Sequence, residues 1–245
     1  MPVNTPREEY STYAAIWQRM RDTFAGRDAV IKAGSLYTPT LPAATPTAQH
    51  SYLHRGNFYN AVRRTVSGLT GGVFQKTPRF DVPRRVQPWM DDVTLTGVPM
   101  NAFALAATEE VLLMGRMGAL VEMADSPLTE TRPYFVRYTT ENILNWDTTT
   151  LDGDEILTLL VLRESPRTVS DDDPFSYTAV EQYRELRLTL VEGSLRYTQQ
   201  LWQRPAKGGE IARVGPVLTP LRRGEPLPFI PFVFFGPAFT TSALK

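Results

Sequence analysis

The clearest hydrophobic pattern in the chain lies in residues 100–124, where a helical period gives way to the alternating period of a strand. Apolar residues recur along one helical face at Met100, Phe103, Ala107, Val111 and Met114, and Leu105 and Leu112 line a neighbouring face. Because Glu109 and Glu110 carry its only charges, we expect this helix to be the buried central helix of the domain. Gly115 is placed to end the helix, and residues 119–123 predict a short strand.

The residues before this stretch predict further helices. Thr5, Pro6 and Glu8 match a capping box, which places the start of a helix that runs to about residue 24 with aromatic and apolar side chains at helical spacing. The other expected elements are a helix over residues 27–33 that stops at Gly34, a proline-containing loop over residues 37–46, and a helix over residues 47–69 that the glycines of residues 68–72 end.

After the central helix the period becomes that of strands. The predicted elements are a strand over residues 134–138, a helical turn with a buried tryptophan over 139–146, a turn over 151–154, a strand over 156–163, a hairpin of residues 180–191 and 195–202, and a returning strand over 211–214. We therefore expect an α+β fold in which N-terminal helices and the buried central helix pack on a mainly antiparallel β domain. The expected division is a mainly helical, basic segment over residues 1–118, a mainly β segment over 119–236, and the start of a continuation over 237–245.

Residues 226–236 form an apolar, aromatic segment interrupted by prolines, which we call the proline ribbon. Its prolines have no amide hydrogen to donate, so it cannot be an interior sheet strand along its whole length. An exposed segment of this kind would promote aggregation. We expect it to be covered by another part of the fold, by another subunit, or by residues that follow Lys245.

Composition narrows the class of protein. The 245 residues are 42% hydrophobic, which suffices for a sizeable core, and they include no cysteine, which excludes disulfides and thiolate metal sites. No apolar run approaches the length of about 18–20 residues that spans a bilayer, and the N-terminus lacks the apolar core of a signal peptide. We expect a protein that is made in the cytoplasm and has no membrane partner.

The net charge is zero, but it is distributed in blocks. Residues 1–90 carry 12 Lys and Arg against 5 Asp and Glu, residues 91–185 carry 6 against 18, and residues 186–245 carry 8 against 3. A basic block beside an acidic one can bind nucleic acid, can bind the acidic block of another copy, or can form the solvated faces of a globular domain.

No motif predicts catalysis, a cofactor or a metal site. The glycine cluster of residues 68–72 lacks a Lys-Ser/Thr ending in register for a phosphate loop, and the acidic run of residues 170–174 lacks the alternating ligands of a calcium loop. His50 and His54 lie four residues apart but lack a third ligand, so we interpret them as surface or packing residues. Glu109 and Glu110 are adjacent on a helix and diverge, which favours a solvated edge over a pair of acid and base catalysts.

The order of several segments resembles the portal-like proteins of tailed bacteriophages. These segments are YL (52–53), NFYNAV (57–62), GVFQK (72–76), GRMGALVE (115–122), RPYFVRY (132–138), ENILNW (141–146), LVLRE (160–164) and PFIPFVFFG (228–236). The resemblance covers nearly the whole chain and includes no catalytic motif.

The resemblance implies a subunit of a portal ring, typically a dodecamer, at one vertex of the capsid in the virion. Such a ring conducts double-stranded DNA during packaging and ejection, docks the terminase large subunit, and contacts the major capsid protein and a head-tail adaptor. The proline ribbon is similar to the segment that precedes the channel-lining stem and clip of such proteins, so this chain would correspond to an N-terminal portion with the β wing domain and without the stem.

The residues themselves are compatible with a conduit. DNA slides more easily past a surface that lacks a deep basic groove, and neither a recognition helix nor a zinc finger is evident in the sequence. In a head-to-tail ring the oppositely charged blocks could meet, and Arg55, Arg63 and Arg64 are candidate subunit-interface residues. The alternatives are another virion protein, such as a head-tail adaptor or minor capsid protein, and, more remotely, an enzyme.

Overall fold

The computed structural model describes residues 2–40, 42–43, 45–124, 131–169, 173, 175–205 and 208–237, and confirms an α+β fold. The α-helices are α1 (Glu8–Ala25), α2 (Arg27–Ala33), α3 (Pro46–Arg55), α4 (Ala61–Val73) and α5 (Met100–Met114). The strands are β1 (Met117–Met123), β2 (Pro133–Thr139), β3 (Ile143–Leu151), β4 (Asp154–Glu164), β5 (Arg167–Val169), β6 (Tyr177–Ala179), β7 (Gln182–Val191), β8 (Ser194–Gln203), β9 (Ala212–Leu218), β10 (Leu221–Arg222), β11 (Glu225–Pro226) and β12 (Phe232–Phe235). Among the described helices, none is long and apolar enough to cross a membrane.

The chain divides into two compact units. One, the helical unit, is Ala14–Gly115, and the other, the β unit, combines Met1–Tyr13 with Arg116–Lys245. The division expected from the sequence lies after residue 118, and the units divide after Gly115. The first thirteen residues, however, belong with the strands, because the amide of Arg7 donates to the carbonyl of Leu144 and the hydroxyl of Tyr10 donates to the carbonyl of Glu141. The last residues of the expected continuation, 238–245, lie outside the described residues.

The central helix forms where the sequence predicted it, as α5, and Gly115 ends it with a left-handed φ of 83°. Its buried face carries Phe103 and Ala107, whereas Leu105 and Leu112 remain 41% and 39% exposed. The expectation that this neighbouring apolar face is buried is therefore wrong within the described chain, since both leucines keep about two fifths of their surface exposed.

The prediction of one helix over residues 47–69 is wrong. The chain leaves α3 at Gly56, and Asn60 begins α4 by accepting a hydrogen bond from the amide of Arg63 at 2.8 Å. The glycines of residues 68–72 lie inside α4 and do not end it. Their low helix propensity is overridden by packing, because α4 lies against α5 and buries Val66.

The predicted capping box also does not form. The hydroxyl of Thr5 donates to the carbonyl of Pro2 at 2.8 Å, so residues 2–5 form a turn before the helix. The helix begins later, at Glu8, because the amide of Arg7 is already bonded to β3.

Two antiparallel sheets enclose the core of the β unit. The strand orders are β12-β1-β2 in the smaller sheet and β3-β4-β7-β8-β9 in the larger. Leu120 of the smaller sheet packs in one buried cluster with Leu160 and Leu186 of the larger. The β7–β8 hairpin matches the sequence prediction, whereas the helical turn predicted over residues 139–146 is limited to Thr140–Asn142, and the chain continues from Ile143 as β3 because it pairs with β4. Each hairpin turns through two residues with positive φ, Asp152 and Gly153 in β3–β4 and Glu192 and Gly193 in β7–β8.

Most of the proline ribbon is covered by the β unit itself. Its end forms β12, which pairs with β1 as an edge strand, and Ile230 and Phe232 are 6% and 9% exposed. Of the three covers that the sequence left open, the structure shows the first for these residues. Phe229 and Val233 stay about half exposed, at 47% and 53%.

A largely buried ion network also joins the two sheets. Arg184 on β7 contacts Glu164 on β4 at 2.7 Å and Glu122 on β1 at 2.8 Å, and Tyr138 on β2 donates to Glu164 at 2.6 Å. Burial alone would lower the pKa of the Arg184 guanidinium, but its hydrogen bond to Glu164 and the charges of both carboxylates raise it. Arg184 therefore stays charged and holds the two carboxylates in place.

Candidate subunit interface

The three candidate arginines do not share one environment. Arg63 is committed to the helical unit, where its guanidinium donates to the carbonyls of Phe24 at 2.9 Å and Ala25 at 3.1 Å and lies 5.2 Å from the centre of the Phe24 ring. These carbonyls end α1 and have no partner in the helix ladder, so a cation satisfies them well. The structure therefore gives Arg63 an internal role, and its prediction as an interface residue stays untested.

Arg55 and Arg64 differ from Arg63. Arg55 ends α3 and Arg64 lies in the first turn of α4, and both side chains are exposed. No ion pair among the described residues involves either of them. They are thus available to an external partner, and their place in a subunit interface stays a prediction.

α4 also presents an exposed face made of small and apolar residues. Small residues recur at helical spacing at Ala61, Thr65, Gly68 and Gly72, and Leu69 and Val73 flank them with exposures of 54% and 62%. A Cβ added at Gly68, Gly71 or Gly72 would meet no atom within 4 Å. Neither the backbone conformation nor the packing of the described chain therefore requires these three glycines.

A second apolar surface lies in the β unit beside the proline ribbon, and we call it the ribbon groove. It encloses about 420 Å³. Its lining residues are Thr148, Glu155, Ile156, Leu157, Leu188, Phe229, Ile230, Phe232, Val233 and Phe234. Glu155 accepts a hydrogen bond from the hydroxyl of Thr148 at 2.6 Å at the rim. The groove can receive apolar side chains, and its rim favours a cation.

A further hollow of about 390 Å³ lies on the larger sheet. Trp202 forms part of its wall and donates from its indole nitrogen to Glu185 at 2.9 Å. Its two cations are engaged, because Arg187 pairs with Glu185 at 2.6 Å and Arg213 lies 4.9 Å over the Trp202 ring. The hollow therefore lacks an unengaged charge with which to select a ligand.

The remaining candidates from the sequence are the two histidines, the glutamates of α5 and the acidic run of residues 170–174. The rings of His50 and His54 stack at 4.0 Å on α3, and the described residues contain no group of three or more metal-ligand side chains. Glu110 is only 8% exposed and pairs with Arg21 at 2.6 Å, so its interpretation as a solvated edge is wrong. Of the acidic run 170–174, only Asp173 is among the described residues.

No family model matches this chain, and no curated protein shows significant similarity to it.

Proposed function

We propose that this chain is a structural subunit of a bacteriophage portal ring, which occupies one capsid vertex and conducts double-stranded DNA during packaging and ejection. The observation that carries the proposal is where the segments that resemble portal proteins lie. Five of these segments, distant from one another in sequence, contribute side chains to the buried cluster of the β unit. They are GRMGALVE, RPYFVRY, ENILNW, LVLRE and PFIPFVFFG.

Contacts within this cluster explain residue choices in those segments. A Cβ on Gly118 would lie 2.0 Å from Cζ of Phe232, so the glycine makes room for the aromatic ring of the ribbon. Phe232 in turn packs edge-on against Phe234, and Phe234 against Trp146. The five segments therefore depend on one another physically, as parts of one domain.

Trp146 is a second junction between these segments. The guanidinium carbons of Arg116 and Arg7 lie 4.2 Å and 5.0 Å from the centre of its ring. Arg116 also donates to the hydroxyl of Thr140 at 2.8 Å, and burial lowers its pKa to about 10, which leaves it charged at neutral pH. The cation and the tryptophan thus fix the chain as it leaves α5.

The charge of the chain suits a conduit. A protein that holds DNA tightly neutralises many phosphates, and each such contact strengthens binding and steepens its dependence on salt. A net charge of zero favours passage over retention. We expect DNA to pass without sequence specificity.

The proposal includes the partners of such a ring. They are further copies of the chain, in a ring that is a dodecamer, together with the major capsid protein, a head-tail adaptor and the terminase large subunit. The protein would be made in the bacterial cytoplasm and incorporated into the virion. The β unit covers most of the proline ribbon, so the surfaces left for self-association are the exposed face of α4 and the ribbon groove.

Negative-stain electron microscopy of the purified protein tests the proposal. We expect rings with a central hole and a mass that corresponds to about a dozen chains. A monodisperse monomer at every concentration would contradict the proposal. A pull-down with the terminase large subunit of the same phage distinguishes a portal from an adaptor that assembles into rings. Rings that do not bind terminase would favour the adaptor.

A further inference from the structure

The exposed face of α4 is not accounted for by the described chain. Glycine inside a helix lowers the stability of that helix relative to alanine, because it loses more backbone freedom on folding. α4 contains Gly68, Gly71 and Gly72, and none of them is required by a positive φ or by a close neighbour. The usual gain from such residues is the close approach of another backbone, and Leu69 and Val73 beside them are exposed apolar side chains.

The charge around this face is of one sign. No Asp or Glu occurs between Asp28 and Asp81, a stretch that contains α3 and α4 and that carries Arg55, Arg64 and four other Lys or Arg residues. Arg64 lies on α4 itself, in its first turn and exposed. A partner of α4 therefore has to offer an apolar surface with an acidic rim.

The ribbon groove offers such a surface. Phe229 and Val233 are about half exposed at its edge, and Leu188 forms part of its wall. Glu155 lies on its rim, and the hairpin tip over residues 147–155 carries Asp147, Asp152, Asp154 and Glu155 without any Lys or Arg. Apolar character and charge thus complement those of α4.

We propose that α4 of one copy docks into the ribbon groove of the next copy, with Leu69 and Val73 in the groove and Arg64 toward the acidic hairpin tip. The assignment rests on the proposed ring, which it deepens by naming the two surfaces that meet. The two surfaces differ, so the contact is heterologous, and repetition of a heterologous contact closes a ring when its rotation permits.

The absence of cysteine makes disulfide trapping a clean test. Val73→Cys and Val233→Cys are prepared as separate proteins, mixed and oxidised. We expect a disulfide that joins two chains, and a ladder of higher species from the double variant Val73→Cys/Val233→Cys. Val169→Cys replaces Val233→Cys in the control, because Val169 has nearly the same exposure, 52% against 53%. Val169 lies on β5, which follows the C-terminal end of β4, whereas the groove is lined by residues at the N-terminal end of β4.

Charge reversal provides an independent measurement. Arg64→Glu or Glu155→Lys alone should weaken self-association about tenfold at low salt, and the double variant should recover most of the loss. Failure of the double variant to recover would overturn the proposed pairing of these charges. Arg196→Glu, on β8, is the control for a general change of net charge.

The outcomes separate this inference from the proposed function. Rings that cross-link no better than the Val169→Cys control would overturn the docking of α4 while the ring proposal stands. A monomer under all conditions would overturn both. A disulfide that forms within single chains of the double variant would mean that α4 packs in the groove of its own chain. This result would overturn the proposal that a second copy occupies the groove.

Discussion

In the β unit a glycine is required, and in the helical unit three glycines are not. Gly118 lies against Phe232, where a methyl group has no room, whereas Gly68, Gly71 and Gly72 face open space. The same residue type therefore has a packing explanation in one unit and none in the other. The comparison teaches that β1 is fully packed by other residues of the chain at Gly118, whereas α4 has an exposed face on which another surface can pack.

Four arginines, two in each unit, show the same difference. In the β unit Arg116 is buried and Arg184 is largely buried, and both are bonded to named partners. Arg55 and Arg64 of the helical unit are exposed and are in no ion pair among the described residues. Buried charges fix the arrangement of a domain when every one of them is paired, and exposed charges instead select partners.

The largest expected effect comes from the ion network of the β unit. Arg184→Leu leaves Glu122 and Glu164, whose side chains are only 17% and 15% exposed, without their cation. We expect a loss of about 3–5 kcal/mol in the free energy of unfolding, because an uncompensated buried charge is costly. Urea denaturation followed by circular dichroism measures it.

Arg187→Leu is the matched control for this variant. Arg187 lies on the same strand and pairs with Glu185, but its side chain is 51% exposed. We expect a loss of under about 1 kcal/mol, since water screens an exposed pair. Equal losses from the two variants would show that the network contributes no more than a surface pair.

A smaller effect, of opposite sign in the two units, is expected from alanine at glycine positions. Gly118→Ala forces a Cβ to within 2.0 Å of the buried Phe232 ring and should lower the stability by about 1–3 kcal/mol. Gly68→Ala adds a methyl group in open space inside a helix and should raise the stability of the monomer by about 0.5–1 kcal/mol.

Urea titrations of both variants, at a concentration where the wild type is monomeric, check the signs. A destabilising Gly68→Ala would mean that α4 is already packed against something in the monomer. Such a result would contradict both the contrast between the units and the conclusion that this face of α4 is free in the monomer.

The sequence predicted elements whose signals are local. The sequence correctly placed α5, the stop at Gly115 and the β7–β8 hairpin from the hydrophobic period and the turn residues, which lie within a few positions of these features. It did not predict that Gly68 continues a helix, because this depends on the packing of α4 against α5. It also did not predict the buried pair of Arg21 and Glu110, because these residues are 89 positions apart.

The candidate interface could be predicted only in part for the same reason. Charge blocks are visible in the sequence and drew attention to Arg64. What separates Arg64 from its neighbour Arg63 is the end of α1, which reaches Arg63 from residues 24–25. No local pattern around Arg63 reports that contact.

The smallest expected effect separates these two arginines. Arg63→Ala removes a cation from the terminal carbonyls of α1 and its contact with the Phe24 ring, and we expect a loss of about 1 kcal/mol. Arg64→Ala should change the stability of the monomer by less than about 0.5 kcal/mol, because its side chain is exposed.

Self-association measured on the same two proteins shows why the difference matters. We expect Arg64→Ala to weaken assembly without a change in folding, whereas any effect of Arg63→Ala on assembly has to be compared with its loss of stability. If Arg64→Ala were the destabilising variant and Arg63→Ala the neutral one, Arg64 would be the residue that stabilises the fold and Arg63 the residue on the free surface. Arg64 is therefore the arginine whose substitution probes the surface of α4 alone.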